Sequence, residues 1–122
     1  MKLRTNSLSE IHSDVEVPTY DRAAVTTGIV HFGVGGFHRA HQAMYVDRLL
    51  ARGEASDWGI CGVGVLPHDR KMKEVMEEQD CLYTLALKHS DGTWETRVIG
   101  SIVEYLFAPE DPEAVIEKMA SE

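Results

Sequence analysis

Three features of this 122-residue sequence predict an α/β fold, a parallel or mixed sheet with flanking helices. The first is Gly28-Ile29-Val30-His31-Phe32-Gly33-Val34-Gly35-Gly36-Phe37-His38, an apolar run that breaks into glycines where a helical pattern begins. The second is Trp58–Val65, apolar throughout apart from its glycines, as strands covered on both faces are. The third is the order of the first elements, strand, helix, strand, helix, which is the βαβ arrangement of a parallel sheet.

Residues 1–27 are mixed and polar, with Pro18 and Asp21 interrupting any long helix, and read as an N-terminal arm leaning on the domain. The first strand is expected at Gly28–Phe32. A helix follows at Arg39–Ala51, with Ala43, Met44, Val46, Leu49 and Leu50 on its apolar face and Gly53 just past its end. The second strand, Trp58–Val65, stops at Pro67. Asp69 is placed to cap a helix running to Glu78, with Met72, Val75 and Met76 facing inward. The period then changes to two: Leu82–Lys88 and Thr93–Val98 flank Ser90-Asp91-Gly92, a hairpin turn, and Ile99–Phe107 continues as an extended apolar stretch. Asp111 and Pro112 open a last helix carrying Ala114, Val115, Ile116 and Met119. No strand follows that helix, so the sequence reads as the first part of a larger domain whose sheet is incomplete.

The glycine turn carries the chemistry. Gly33 permits a tight turn, and Gly35 lets a pyrophosphate approach the backbone. The unpaired N–H groups and positive dipole end of the next helix attract phosphate. In G-x-G-x-x-G register the third glycine falls at His38, leaving Gly36 and Ala40 to supply the small surfaces for helix–strand packing. An ordinary glycine-rich strand-to-helix turn is the alternative reading of the same residues.

The net charge of −8 disfavours nucleic acid and anionic membrane as partners, because the long-range field repels phosphate polymers. It leaves open a small phosphorylated cofactor held by local dipoles. No apolar run is long enough to span a membrane, and Met1–Ser7 lacks the apolar stretch of a signal peptide. Cys61 and Cys81 stand in apolar settings outside any C-x-x-C and are expected as free buried thiols in a cytoplasmic protein.

Gly33-Val34-Gly35-Gly36-Phe37-His38-Arg39-Ala40-His41-Gln42-Ala43 resembles the N-terminal signature of the mannitol dehydrogenase family, polyol-specific long-chain dehydrogenases. Pro18–Asp21, Trp58–Gly64, Asp69–Met72, Gln79–Leu85 and Val98–Ile102 resemble the same family in the same order, closest to its mannitol 2-dehydrogenase subgroup. The resemblance implies a Rossmann-like domain and reversible oxidation of a sugar alcohol to a ketose with NAD, or NADP, and no metal. It also implies that 28–122 are the first part of the dinucleotide-binding domain. The family's catalytic lysine, with asparagine and histidine partners, lies in a C-terminal helical domain that this sequence lacks. No catalytic residue is therefore expected within it, and a polyol or ketose would bind only with that further domain.

The expected cofactor-binding residues are Gly33, Val34, Gly35, Gly36, Phe37, Arg39, Asp69 and Arg70. Asp69, after the second strand, suits an adenosine ribose: a carboxylate accepts from the 2′-OH and repels a 2′-phosphate. His68 and Arg70 on either side tolerate that phosphate. Arg39 is placed to pair with a pyrophosphate oxygen, and Phe37 to anchor the loop and shield the cofactor. His38 and His41, an H-x-x-H with His31 nearby, lack a third metal ligand. Asp47 and Arg48 read as a solvated helix face or a domain contact. Two other readings stay open: an S-adenosylmethionine-dependent methyltransferase, which also uses a glycine-rich first turn, and a truncated, non-catalytic chain that binds nucleotide or self-associates through an open strand edge.

Overall fold

The computed structural model of the chain describes residues 3–11 and 14–121; residues 1, 2, 12 and 13 of the expected arm, and residue 122, lie outside it. The strands are β1 (Val15–Glu16), β2 (Thr27–Phe32), β3 (Gly59–Gly64), β4 (Tyr83–Lys88), β5 (Trp94–Ile99) and β6 (Ile102–Phe107). The helices are α1 (Gly36–Ala40), α2 (Gln42–Ala51), α3 (Arg70–Glu78) and α4 (Pro112–Ala120).

The strands form two sheets. In the order β2-β3-β6, all neighbours are parallel, with Val30 opposite Cys61 and Cys61 opposite Glu104. The central strand β3 is buried along its whole length. Its glycines allow this closeness: a Cβ at Gly62 would stand 2.6 Å from the Val34 side chain. The second sheet, β1-β5-β4, contains the expected antiparallel hairpin, with Tyr83 opposite Ile99 and Lys88 opposite Trp94. At its turn, Asp91 accepts from the N–H and the hydroxyl of Thr93. One apolar cluster, including Met44, Ile60, Met76, Tyr83, Ile99 and Ile102, joins the two sheets and their helices. Each fully buried aliphatic side chain there contributes roughly 1.5–3 kcal/mol.

Four sequence expectations are corrected. The stretch Ile99–Phe107 is not continuous: it breaks at Gly100 and Ser101, where the chain leaves one sheet for the other. Residues of α2 hold the crossing: the Gly100 N–H donates to Asp47 and the Ser101 hydroxyl to the Ala43 carbonyl. The first helix begins at Gly36, earlier than Arg39, and breaks at His41 (φ −122°, ψ −80°). There the His41 Nδ1–H and N–H both donate to the Phe37 carbonyl, at 2.9 and 3.0 Å. Asp69 does not cap α3 with its side chain; the carboxylate turns back to the end of β3. On α3, Met76 is buried but Val75 faces solvent, and on α4 Val115 is buried while Ile116 and Met119 are exposed.

The N-terminal residues are tied to the sheets by specific bonds. β1 pairs with β5. Arg22 donates to the carbonyls of Gly100, Asp80 and Ile102 and to the Thr5 hydroxyl, which uses its whole guanidinium as a clamp. The Tyr20 hydroxyl donates to Asp47. Asp47 is only 2 % exposed, and it also accepts from the Gly100 N–H and from Arg97. Asp47 is therefore not part of a solvated helix face or a domain contact but a buried acceptor within these residues. Burial, then the Asp47 carboxylate beside it, pushes the Tyr20 hydroxyl far above the usual phenol range. Among the described residues no helix is long and apolar enough to cross a membrane.

Candidate functional site

The ends of parallel strands define where a small molecule can sit. In an open parallel sheet the crevice lies beyond the carboxyl ends of the strands, where side chains no longer fill the space and helix starts point inward. β2 and β3 are neighbours in such a sheet. The Gly33–Gly36 turn follows β2, and Asp69 follows β3, so both lie on this one edge.

The turn is built by its neighbours. Gly33 adopts φ +89°, a conformation strained for residues with a Cβ, and its N–H donates to the Val63 carbonyl at 2.7 Å. Val34 is buried against the sheet, which pins the middle of the turn. Gly33, Gly35 and Gly36 have no atom within 4 Å of where a Cβ would stand. The first-turn N–H groups of α1 have no carbonyl a turn earlier in the helix to bond. A cavity of about 350 Å³ opens here, lined by His31, Phe32, Gly33, Gly35, Phe37, His38 and Gln42. A bare, partly positive backbone beside open space is suited to an anion such as a pyrophosphate.

Of the residues singled out in the sequence, Gly33, Gly35 and Phe37 line the cavity, Gly36 continues the turn and Val34 supports it from below. Phe37 does not anchor the loop. It is 80 % exposed and stacks on His41, ring centroids 4.3 Å apart. Arg39 stands beside the turn, its Nε–H donating to the Gly35 carbonyl at 3.3 Å and its guanidinium 5.9 Å from the Tyr83 ring. The Tyr83 hydroxyl donates to the Arg39 carbonyl at 2.6 Å.

Asp69 closes the loop after β3. One carboxylate oxygen accepts from the N–H groups of Val65 and Leu66, at 3.2 and 3.1 Å; the other faces His68 at 3.7 Å. The side chain is 30 % exposed. Arg70 points elsewhere, pairing with Glu110 at 3.3 Å and lying over the Phe107 ring. That pair is exposed on both sides and weak, about 0–1 kcal/mol.

The sequence places His31 and His38 near the turn but does not show that they stack, and it offers no role for Gln42, which lines the same cavity. The rings of His31 and His38 stack with centroids 3.8 Å apart. His31 Nδ1–H donates to the Gly33 carbonyl at 2.8 Å, and His38 Nδ1–H to Gln42 Oε1 at 3.0 Å. Burial, then the neighbouring His31, holds His38 below its ordinary pKa. The i, i+4 spacing of His38 and Gln42 carried a signal for their bond. His38 and His41 do not converge, and among the described residues no group of three His, Cys, Asp or Glu side chains is placed to hold a metal. Cys61 and Cys81 are both buried, and burial pushes their thiols up to about 12 and about 11, which keeps them protonated and unreactive.

Residues 27–122 match the family described as the mannitol dehydrogenase Rossmann domain. A mannitol 2-dehydrogenase of Pyrenophora tritici-repentis is 53% identical over 120 residues, covering 98% of this chain and 21% of that protein. A mannitol dehydrogenase of Saccharomyces cerevisiae is 46% identical over 119 residues, covering 98% and 24%. The solved structure of Pseudomonas fluorescens mannitol 2-dehydrogenase, a ternary complex with NAD and D-mannitol, superposes with a TM-score of 0.94 at 46% identity, covering 99% of this chain and 25% of that one. A substrate-free D-sorbitol dehydrogenase gives 0.90 at 41% identity, again covering 99% and 25%. The chain thus spans about a quarter of the length of these proteins.

Proposed function

The chain belongs to the mannitol dehydrogenase family, and from that premise we propose that it holds the pyrophosphate of a nicotinamide dinucleotide at the Gly33–Gly36 turn. The wider activity would be interconversion of a sugar alcohol, mannitol-like, and a ketose, fructose-like. The observation that carries the reading is the open turn itself: a positive-φ glycine at the carboxyl end of a parallel strand, β2, with bare backbone running into a helix start. The solved relative with NAD and D-mannitol bound supports the cofactor class.

In this reading the backbone N–H groups from Val34 through His38 face the pyrophosphate, and Arg39, tethered beside Gly35, adds positive charge. Asp69, partly exposed at the end of the same sheet edge, accepts from the adenosine ribose. An acceptor-only group there favours NAD over NADP. When bound, the nicotinamide supplies the carbon that takes the hydride of the carbinol. The base that takes the hydroxyl proton lies outside residues 1–122. Two buried, protonated thiols suit a reducing, cytoplasmic setting.

The test is titration of the chain with NAD by calorimetry, with amide chemical shifts followed at Gly33–His38. Dissociation constants in the micromolar-to-millimolar range are expected, since walls for adenine and nicotinamide are largely missing from these residues. Tighter binding of S-adenosylmethionine than of NAD would favour the methyl-transfer reading instead.

A second reading, self-association, is favoured by a separate observation. β2 lies at the edge of its sheet, beside an apolar cavity of about 250 Å³ lined by residues including Phe32, Val65, Ile116 and Met119. An unpaired strand beside an apolar hollow is a pairing surface. Sedimentation of the parent chain and of Phe32→Lys distinguishes a monomer from an edge-paired dimer.

A further inference from the structure

The Gly33 turn, tied to Val63 and pinned by Val34, is also held by one side chain, and that side chain is held by another. We infer that His31 and His38 are positioning residues that aim the turn's backbone at the dinucleotide phosphates; this rests on the reading of the turn as a phosphate site. His31 closes β2, and its Nδ1–H donates to the Gly33 carbonyl at 2.8 Å. A carbonyl cannot donate, so His31 must carry its proton on Nδ1. The peptide that follows is trans, so its C=O and N–H point in opposite directions. Holding the Gly33 carbonyl toward His31 therefore turns the Val34 N–H away from it. Without that bond the Gly33 carbonyl loses its side-chain anchor, and the peptide can rotate more widely between its fixed neighbours, because glycine takes either sign of φ.

The imidazole of His31 is itself held. Its ring lies on that of His38, centroids 3.8 Å apart and planes 17° from parallel. His38 is 6 % exposed and is bonded through Nδ1–H to Gln42, beyond the break at His41. The connection runs from α2 to α1, across the ring stack to the end of β2, and into the turn. His38 Nε2 is buried with no partner among the described residues. A protonated His38 would bury an unpaired cation, so His38 is the neutral member against which His31 packs. Arg39, the nearest fixed cation by sequence, is directed to Gly35 and Tyr83 and not to the stack.

The experiment uses the whole chain and NAD. Calorimetry compares the parent, His31→Ala, and His31→Asn, whose carboxamide nitrogen can donate to the same carbonyl. The expected result is about tenfold weaker binding for His31→Ala and recovery to within about threefold for His31→Asn. The Val34 amide shift should move in His31→Ala and return in His31→Asn. Imidazole nitrogen shifts of the parent at pH 7.5 provide a readout that needs no variant: His31 should be protonated on Nδ1 and bare on Nε2. Unchanged affinity in His31→Ala, or a His31 proton on Nε2, overturns the inference while leaving the phosphate site standing. Failure of the parent chain to bind NAD overturns both.

Discussion

Replacing Asp47 with alanine tests the account of how this fold is held together. The carboxylate is 2 % exposed and accepts from three donors, one from the N-terminal segment and two from β5 and its end: the Tyr20 hydroxyl, Arg97 Nη2 at 3.4 Å and the Gly100 N–H at 2.9 Å. Alanine leaves all three without this partner. A buried donor left unsatisfied costs about 1–3 kcal/mol. Removing one member of a buried ion pair costs about 3–5 kcal/mol, because the other charge stays behind. Arg97 keeps contacts with Glu16 at 3.3 Å and Glu95 at 3.7 Å, which offsets part of that loss. The terms share one site and do not add. A net destabilisation of about 4 kcal/mol is therefore expected, against a total of about 5–15 kcal/mol for a domain. In a chain of this size that lowers Tm by roughly 10–20 °C. Asp47→Asn keeps an acceptor for Tyr20 or Gly100 and loses only the charge, so about half the effect is expected. The assay is urea unfolding of the parent and both variants, followed by circular dichroism, with the m value checked for constancy. A loss below about 1 kcal/mol in Asp47→Ala would refute the reasoning, since it would mean that the three donors find water or other partners at no cost.

Other outcomes follow from the same structure. His38 is held below its ordinary pKa of 6.5, so the unfolded chain binds its proton more readily than the folded one. Stability should then fall as pH drops below about 6.5, and His38→Gln should flatten that part of the pH profile of urea unfolding. Asp69→Ala should lower the ratio of NAD to NADP affinity and also cost about 1 kcal/mol, because the N–H groups of Val65 and Leu66 lose their acceptor; an unchanged ratio would leave Asp69 a loop-closing residue only. Purified residues 1–122 should show no polyol-dependent reduction of NAD in an absorbance assay with mannitol, arabinitol and sorbitol. The histidines nearest the glycine turn are engaged there, His31 by Gly33 and His38 by Gln42, and are poor bases for a distant carbinol. Saturable turnover abolished by a mutation within the chain would contradict this.

Local chemistry made much of the fold legible. The glycine turn was readable because only residues without a Cβ tolerate φ +89° at Gly33 and leave open backbone through Gly36. β3 was readable because a strand covered on both faces must be apolar on both. The Asp91-Gly92 turn and the Asp111-Pro112 helix start, where Asp111 accepts from the Ala114 N–H, rest on preferences of single residues. What stayed hidden depended on partners remote in sequence. Asp47 lies in the buried stripe with Ala43, Met44 and Leu50, yet a carboxylate in such a stripe is interpretable only once Tyr20, Arg97 and Gly100 are known to converge on it. The break at Gly100 was invisible because an apolar run has the same pattern whether it stays in one sheet or crosses to another. The stack of His31 on His38 is likewise decided by the packing of α1 against the end of β2, and no spacing rule for a strand followed by a helix encodes it. Sequence alone determined which backbone conformations and which faces were available here. Tertiary structure decided which polar groups met, because a buried charge or imidazole takes its role from the donors and acceptors that distant segments bring within about 3 Å of it.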